Sequence, residues 1–313
     1  MLALTFLGTS AARPTVERGV SAIALQREGE MLLFDCGEGT QRQMMRYGVG
    51  FTLADIFFTH FHSDHFLGLT GLVRTLGLQG RTEPLRLFGP KGAQRILTQA
   101  LELGFERVPF PIAIEELKPG DRVPRTGYGL EVVPADHGGG AVSYVLREHQ
   151  RLGRFDPEQA RALGVPEGPL WGKLHKGEVV EWDEPQAAGP SIRRSVDPST
   201  LVGPPRPGRI VAISGDTRPN AALVEAAAGA DLLVHEATFT HDEHPRALET
   251  RHATAREAAQ VALAARARRL VLTHLSARFS TQWQELLDEA RAVFGETEVA
   301  KDGMVLDVPF PDA

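Results

Sequence analysis

Six short apolar runs in this chain stop abruptly at residues that ionise or bind metal. Met31 to Phe34 leads into Asp35-Cys36-Gly37-Glu38-Gly39, Ile56 to Phe58 into Thr59-His60, and Leu130 to Val133 into Pro134-Ala135-Asp136-His137. Ile210 to Ile213 leads into Ser214-Gly215-Asp216-Thr217, Leu232 to Val234 into His235-Glu236-Ala237-Thr238, and Leu270 to Leu272 into Thr273-His274. Unbroken apolar runs of that length predict strands buried on both faces. One such run ending in histidine carries little meaning, because a strand-end polar group often serves only as a hydrogen-bond partner. Six of them predict one surface where the strand ends meet, the usual ligand position in layered α/β architectures. Met1 to Ala12 reads as a further core strand. No basic segment precedes it, and Gly8 and Thr9 cut its apolar stretch below the length of a secretory signal.

Helical patterns alternate with the strands, the clearest from about Ala255 to Arg269. Thr254 is placed to cap it, Glu257 stands where a capping box needs it, and Ala258, Val261, Ala262 and Ala265 form an apolar stripe that reads as core packing. His252 precedes the helix start, where backbone N–H groups favour anions. The rhythm fails from residue 147 to residue 208, a stretch rich in Pro and Gly with weak apolar periodicity. A connection that long predicts an insertion with a task of its own. The length of 313 residues suits one large domain or two small ones. With 34 Lys and Arg against 40 Asp and Glu, the net charge of −6 argues against coating nucleic acid by bulk charge but leaves room for a local basic patch. Cys36, the single cysteine, excludes an intrachain disulfide and Cys-based zinc fingers, and reads as a small buried apolar residue. No run approaches the roughly 18 apolar residues that span a bilayer, so no membrane partner and a cytoplasmic location are expected.

Thr59-His60-Phe61-His62-Ser63-Asp64-His65 is the most informative segment. Imidazoles and a carboxylate crowded this closely are costly in a core and unusual on a plain surface. His60 and His62 project to one side of an extended backbone. Asp64 and His65 follow as the chain turns toward the helical pattern after Phe66, and face a second point nearby. Two adjacent sites of N and O donors suit zinc, and manganese or iron less firmly; a single mononuclear site and a chance surface cluster are the competing readings. Further ligands would come from distant strand ends, where His137, Asp216 and His274 are the candidates.

The pattern His60-x-His62-x-Asp64-His65, followed by His137, Asp216 and His274, resembles the metallo-β-lactamase fold, an αββα sandwich of the α/β class. Further segments narrow the resemblance: Phe6-Leu7-Gly8-Thr9-Ser10, Phe34-Asp35-Cys36-Gly37-Glu38-Gly39-Thr40-Gln41, Ser214-Gly215-Asp216-Thr217, His235-Glu236-Ala237-Thr238 and Leu272-Thr273-His274-Leu275-Ser276. With them the chain resembles the short form of ribonuclease Z, the tRNA 3′-processing endoribonucleases, over nearly its whole length. The resemblance implies a single catalytic domain over residues 1–313, with residues 147–208 as an inserted flexible arm. It also implies two zinc ions per subunit, manganese being the alternative. His60, His62 and His137 would hold one, Asp64, His65 and His274 the other, with Asp216 bridging. Two metals roughly 3.5–4 Å apart can share a hydroxide and clamp the attacking and leaving oxygens of an in-line phosphoryl displacement.

The family's general base corresponds to Asp64. The leaving ribose oxygen needs a proton, which a Glu236–His252 pair could supply. The resemblance puts both residues on the family's proton-relay positions, although His252-Ala253-Thr254 stands where the family commonly has His-Ser-Thr. A carboxylate that orients a metal ligand is the other reading of Glu236. Asp35 and His235 are expected to support the site by hydrogen bonding. The implied products are a 3′-hydroxyl on the tRNA and a 5′-phosphate on the trailer.

Gly168-Pro169-Leu170-x-x-Lys173-Leu174-x-x-Gly177 resembles the arm with which short ribonuclease Z enzymes grip the tRNA elbow. Cations on such an arm contact phosphates and read A-form geometry rather than base sequence. Arg147, Arg151, Arg154, Lys173 and Lys176 are the candidates, together with Gly168 and Pro169 of the motif. In the family the arm of one subunit serves the partner's site, which implies a homodimer acting on precursor tRNA. The family's N-terminal Pro-x-Lys-x-Arg-Asn loop, associated with sensing the CCA end, reads Pro14-Thr15-Val16-Glu17-Arg18-Gly19 here, and the retained Arg18 joins the candidate substrate contacts. Two rival readings remain. One is another hydrolase of this fold acting on a small-molecule ester, thioester or phosphodiester. The other is a non-catalytic RNA-binding member, which should lack ligands, and none is missing.

Overall fold

The computed structural model describes every residue except Glu106, Ala188, Asp312 and Ala313. The chain divides into two compact units, Met1–Arg147 with Arg209–Phe310, and a smaller one built on Glu148–Gly208. In the larger unit β1 (Leu2–Gly8), β2 (Ala22–Arg27), β3 (Glu30–Phe34), β4 (Asp55–Phe57), β5 (Leu85–Gly89) and β6 (Ile112–Glu116) follow one another across a first sheet. A second sheet begins with β7 (Arg122–Arg125), β8 (Tyr128–Pro134) and β9 (Val142–Glu148). The smaller unit carries β10 (Val180–Glu184) and β11 (Ile192–Val196), paired antiparallel. The larger unit resumes with β12 (Ile210–Ile213), β13 (Leu232–Glu236), β14 (Leu270–Thr273) and β15 (Thr297–Val299), and β16 (Val305–Asp307) returns to pair with β1. Among the described residues both large sheets have seven strands, in the orders β16-β1-β2-β3-β4-β5-β6 and β15-β14-β13-β12-β9-β8-β7. The runs β3 to β6 and β12 to β15 are parallel.

Alternation along these strands sorts their side chains into layers. Leu32 and Phe34 of β3, Phe57 of β4, Phe88 of β5, Val211 and Ile213 of β12, Val234 of β13 and Val271 of β14 share one buried core between the sheets. Phe57 stacks on Phe88 with ring centroids 4.7 Å apart and meets Tyr144 edge-on at 5.4 Å. The intervening residues face helices: Leu33 and Ile56 pack with Leu69, Leu72 and Leu97, while Ala212, Leu233 and Leu272 pack with Leu223, Ala258, Val261 and Leu286. Helix, sheet, sheet, helix is the resulting order, which is why the parallel strands are apolar on both faces.

The helix expected over 255–269 has its capping box, Glu257 accepting from the Thr254 N–H at 2.9 Å, but it ends at Ala264. Arg266 adopts φ 51°; its N–H donates to the Leu263 carbonyl at 3.1 Å, and the Ala267 N–H reaches the Ala262 carbonyl at 3.0 Å. A left-handed residue satisfying the last carbonyls in this way stops a helix and frees the chain for β14.

The Glu148–Gly208 unit holds more regular structure than its composition suggests. Asp156 accepts from the Gln159 N–H at 2.9 Å and caps the helix Pro157–Ala162. Gly168, at φ 127°, and Pro169 at the first helical position open the helix Pro169–His175. Ala160, Val165, Leu174, Val180 and Leu201 form a small core with Trp171 and Trp182 against it. Each short element contributes only one to three residues to that core, so no periodicity builds up in the sequence.

Replacing exposed Arg266 by glycine removes the penalty for a Cβ in the left-handed region and should stabilise the protein by about 1 kcal/mol, less glycine's greater freedom in the unfolded chain. Denaturant titration of Arg266→Gly beside the parent measures this.

Candidate metal centre

Six strand ends bring the candidate residues together: β3 leads to Asp35, β4 to Thr59 and His60, β8 to His137, β12 to Asp216, β13 to Glu236 and β14 to His274. Asp64 and His65 sit within a short helix, Ser63–Phe66, that starts earlier than the sequence pattern indicates because His62, extended at ψ 151°, already occupies its N-cap position. His252 comes from the turn just before the capped helix Ala255–Ala264. Gly215 lets β12 turn toward Thr59: its φ is 58°, and a Cβ there would lie 2.7 Å from the Thr59 Cβ.

His60, His62, His137 and Asp216 each offer a ligand atom within 4.8 Å of the others. Asp64, His65 and His274 form a second such group, and Asp216, His252 and His274 a third. Asp216 faces both halves, with Oδ2 3.5 Å from His60 Nε2 and 3.4 Å from His65 Nε2, and Oδ1 3.4 Å from His274 Nε2. Asp64 Oδ2 lies 3.3 Å from His274 Nε2 and accepts from the Ala12 N–H at 2.7 Å.

Hydrogen bonding settles which ring nitrogens point inward. His65 Nδ1–H donates to Asp35 at 2.8 Å, and His137 Nδ1–H to the Arg251 carbonyl at 2.8 Å. The Thr59 hydroxyl donates to Asp35 at 2.9 Å and accepts from His60 Nδ1–H at 3.1 Å. The Thr238 hydroxyl donates to Glu236 at 2.7 Å and accepts from His274 Nδ1–H at 3.0 Å. These tautomers are assigned from the partners, and they leave four Nε2 lone pairs directed into the site. His65 Nε2 and His274 Nε2 stand 3.4 Å apart, and His137 Nε2 and His62 Nδ1 3.2 Å apart. Among the described residues His60 Nε2 and Asp216 Oδ1 are buried without a hydrogen-bond partner. Lone pairs and carboxylate oxygens gathered in a buried pocket repel one another unless a cation sits among them. The donor set therefore fits a metal.

The ionisation pattern agrees. Burial and the neighbouring His65 hold His60 well below the usual imidazole range, and burial with His137 lowers His62. Burial opposes charge on Asp64 and Asp216, yet the facing His274 and His65 outweigh it and keep both carboxylates ionised. His65 is driven upward against its own burial by Asp216 and Asp35. Asp216, which draws a proton to this ring, would equally attract a metal cation.

Beside this pocket His252 Nδ1–H donates to Glu236 Oε1 at 2.8 Å. Burial disfavours the imidazolium, but the Glu236 charge and hydrogen bond outweigh it and raise the pKa to about 9. Glu236 also accepts from the Thr217 N–H at 2.9 Å and the Ala253 N–H at 3.1 Å. Opposite burial, His252 holds its carboxyl below the usual range.

Other residues singled out in the sequence lie outside this cluster. His235 is fully buried and outside the ligand groups, its Nδ1–H donating to the Glu236 carbonyl at 2.7 Å. Cys36 is buried, and its burial pushes the thiol up to about 12. Arg18, expected to contact substrate, is instead 3% exposed; its guanidinium donates to Thr9 Oγ1 at 2.6 Å and to the carbonyls of Ala300 at 2.7 Å and Ser280 at 3.0 Å. A guanidinium buried in this way pins the N-terminal loop rather than facing solvent, where a phosphate would meet it. Arg147 lies on β9, donating to the Ala226 carbonyl at 2.9 Å. Arg151, Arg154, Gly168, Pro169, Lys173 and Lys176 lie in the smaller unit, where Lys173 and Lys176 are exposed on or beside the helix Pro169–His175. Sequence reasoning missed the orienting partners: the hydroxyls of Thr59 and Thr238, the Arg251 carbonyl and the Ala12 N–H. The two threonines stand within segments already singled out, whereas the backbone groups leave no sequence signal.

A four-layer sandwich with histidines and aspartates gathered at its strand ends defines the class of metallo-β-lactamase-fold hydrolases. Residues 188–275 match the profile of the Beta-lactamase superfamily domain, and residues 2–146 that of the Anti-Pycsar protein Apyc1. The chain is 55% identical to Ribonuclease Z of Myxococcus xanthus over 313 residues, covering 100% of this chain and 99% of that protein. It is 48% identical to Ribonuclease Z of Haloferax volcanii, covering 99% and 96%. The crystal structure of human tRNase Z, short form, matches with a TM-score of 0.70 and 28% identity, over 98% of this chain and 100% of that one. The chain belongs to the ribonuclease Z family. No helix among its described residues is long and apolar enough to cross a membrane.

Asp35 orients His65 directly and His60 through Thr59, so Asp35→Ala should weaken metal binding about 10–100-fold. Competition against a chromogenic chelator measures the change, and an unaltered circular dichroism spectrum shows that the fold survives.

Proposed function

We infer that the chain is a metal-dependent endoribonuclease that removes the 3′ trailer from precursor tRNA. The observation that carries this reading, beside the full-length similarity to ribonuclease Z, is His252. Its charged ring is tied to Glu236 and stands 3.9 Å from Asp216, next to the metal ligands, where a departing ribose oxygen would need a proton. His60, His62 and His137 would hold one zinc ion and Asp64, His65 and His274 a second, with Asp216 between them. Imidazole nitrogens mixed with carboxylate oxygens suit zinc, with manganese as the alternative. When bound, the metals supply charge stabilisation to the phosphoryl oxygens in the transition state.

The chain's own groups supply the rest. Asp64, ionised across neutral pH and fixed by the Ala12 N–H, takes the proton of the attacking water. As the water oxygen bonds to phosphorus, the bond to the ribose O3′ breaks, and His252 gives its proton to that oxygen. The products are a 3′-hydroxyl on the tRNA and a 5′-phosphate on the trailer. Glu236 keeps His252 protonated until the transfer, and its charge favours uptake of a replacement proton from solvent afterwards. Arg151, Arg154, Lys173 and Lys176 would meet tRNA phosphates from the smaller unit, and the family resemblance extends the reading to a cytoplasmic homodimer.

Incubation with precursor tRNA carrying a 3′ trailer, with and without encoded CCA, tests the assignment. Cleavage near the discriminator base is expected, abolished by chelation and by Asp64→Ala; no cleavage by a metal-loaded sample sinks it. The two substrates together report whether the altered Pro14–Gly19 loop rejects CCA. His252 must be protonated to act, so kcat should fall as pH rises through about 9. Glu236→Gln removes the charge that raises this pKa and should move the descending limb to lower pH. The double variant Lys173→Ala/Lys176→Ala should raise KM for precursor tRNA and reduce its salt dependence, leaving kcat unchanged.

A further inference from the structure

Arg218 ties together three of the segments that line the site, those carrying His137, Asp216 and His252. Its backbone N–H donates to the Asp136 carbonyl at 3.0 Å, beside His137, while the Asp136 N–H donates to Thr217 Oγ1 at 2.9 Å. The side chain, 12% exposed, reaches the other way. Nη1–H donates to the His252 carbonyl at 2.6 Å and to Glu257 at 2.7 Å, and Nη2 pairs with the second Glu257 oxygen. Glu257 in turn accepts from the Thr254 N–H at 2.9 Å and lies 3.2 Å from His244 Nε2.

The segment 252–254 is therefore held at several points, among them the His252 ring and the Ala253 N–H by Glu236, the His252 carbonyl by Arg218, and the Thr254 N–H by Glu257. It needs such holds. Arg251, immediately before it, is left-handed at φ 56° and lends its carbonyl to His137. A non-glycine residue in that region stays there only when its surroundings over-determine it.

We propose that Arg218 is a positioning residue for the proton donor: it fixes His252 relative to Asp216 and the leaving oxygen without itself meeting substrate. The proposal rests on the reading of His252 as that donor. A planar guanidinium is suited to the task because one fork spans a carboxylate and a carbonyl, which a lysine ammonium cannot match in the same geometry. Loss of the fork would leave the metal ligands in place and let the imidazole drift from the ribose oxygen, and misplacement by about 1 Å costs on the order of 10²-fold in rate.

The test compares zinc-loaded parent, His252→Ala, Arg218→Ala and Arg218→Lys on two substrates. One is ordinary precursor tRNA; the other carries a 3′-S-phosphorothiolate at the scissile bond, whose sulfur leaves as a thiolate without a proton. His252→Ala should lose cleavage of the ordinary substrate and keep most of it on the sulfur-linked one. Equal effects on the two substrates refute His252 as donor, independently of Arg218. With the donor upheld, Arg218→Ala should show the same split. Its kcat on ordinary precursor tRNA should fall about 10²-fold, KM and bound zinc should be unchanged, and added guanidinium should restore part of the rate. Arg218→Lys, which keeps a charge opposite Glu257, should show a smaller split and decides the matter if Arg218→Ala does not fold. Equal losses on both substrates accompanied by zinc loss, or parental rates on ordinary precursor tRNA, overturn the proposal.

Discussion

The structure is organised around a repulsion. Imidazole lone pairs and carboxylate oxygens converge in a pocket that buries His60, His65, Asp216 and His274 almost completely. Apart from a proton shared between the rings, nothing among the described residues holds His65 Nε2 and His274 Nε2 together at 3.4 Å. A cation can, and the surrounding structure is arranged to wait for one. Each outward Nδ1 has an oxygen partner that prevents the ring from flipping, and those partners come from different segments of the chain. Two of the strand-end residues, Asp35 at φ 57° and His274 at φ 55°, adopt a backbone conformation that costs energy in isolation. The double-sheet core behind them, with Phe34, Phe57, Phe88 and Tyr144 packed ring to ring, supplies the rigidity that keeps this arrangement from relaxing.

Glu236 shows how the metal half and the proton half of the site are coupled. One of its oxygens accepts from His252, and the other accepts from the Thr238 hydroxyl that orients His274. Proton relay and ligand orientation, two readings that the sequence leaves in competition, thus belong to different oxygens of one carboxylate. The negative charge it carries also serves twice, holding His252 protonated and raising the hydrogen-bonding power of Thr238.

Much of this was readable in the sequence because burial on both faces removes polar residues from a strand until it ends. The six apolar runs lie in β3, β4, β8, β12, β13 and β14, and the residues just past them are the ones the site gathers. Other features obey rules that a linear reading does not contain. The helix over 255–264 ended early because Arg266 turned left-handed, a position where glycine would have announced itself. Asp64 and His65 entered a helix of a single turn, too short to show a period. Arg18 looked like a candidate substrate contact in a loop, yet the Thr9 hydroxyl and two carbonyls from distant parts of the chain, of Ser280 and Ala300, engage it. The order within Glu148–Gly208 stayed hidden because its core is assembled from one to three side chains per element, Trp171 and Trp182 among them.

The place where that segment leaves the larger unit has a wider meaning. Arg147 and Ile210 are direct partners across the antiparallel pair β9–β12, so the chain departs and returns through adjacent backbone positions. The sheet closes this gap whether the excursion between them is long or short, and lengthening a loop adds only slowly to its closure entropy. Natural selection can therefore exchange, extend or delete the excursion without re-solving the fold or disturbing the ligands at the strand ends. A family built on such a seam can acquire new substrates while keeping its chemistry unaltered.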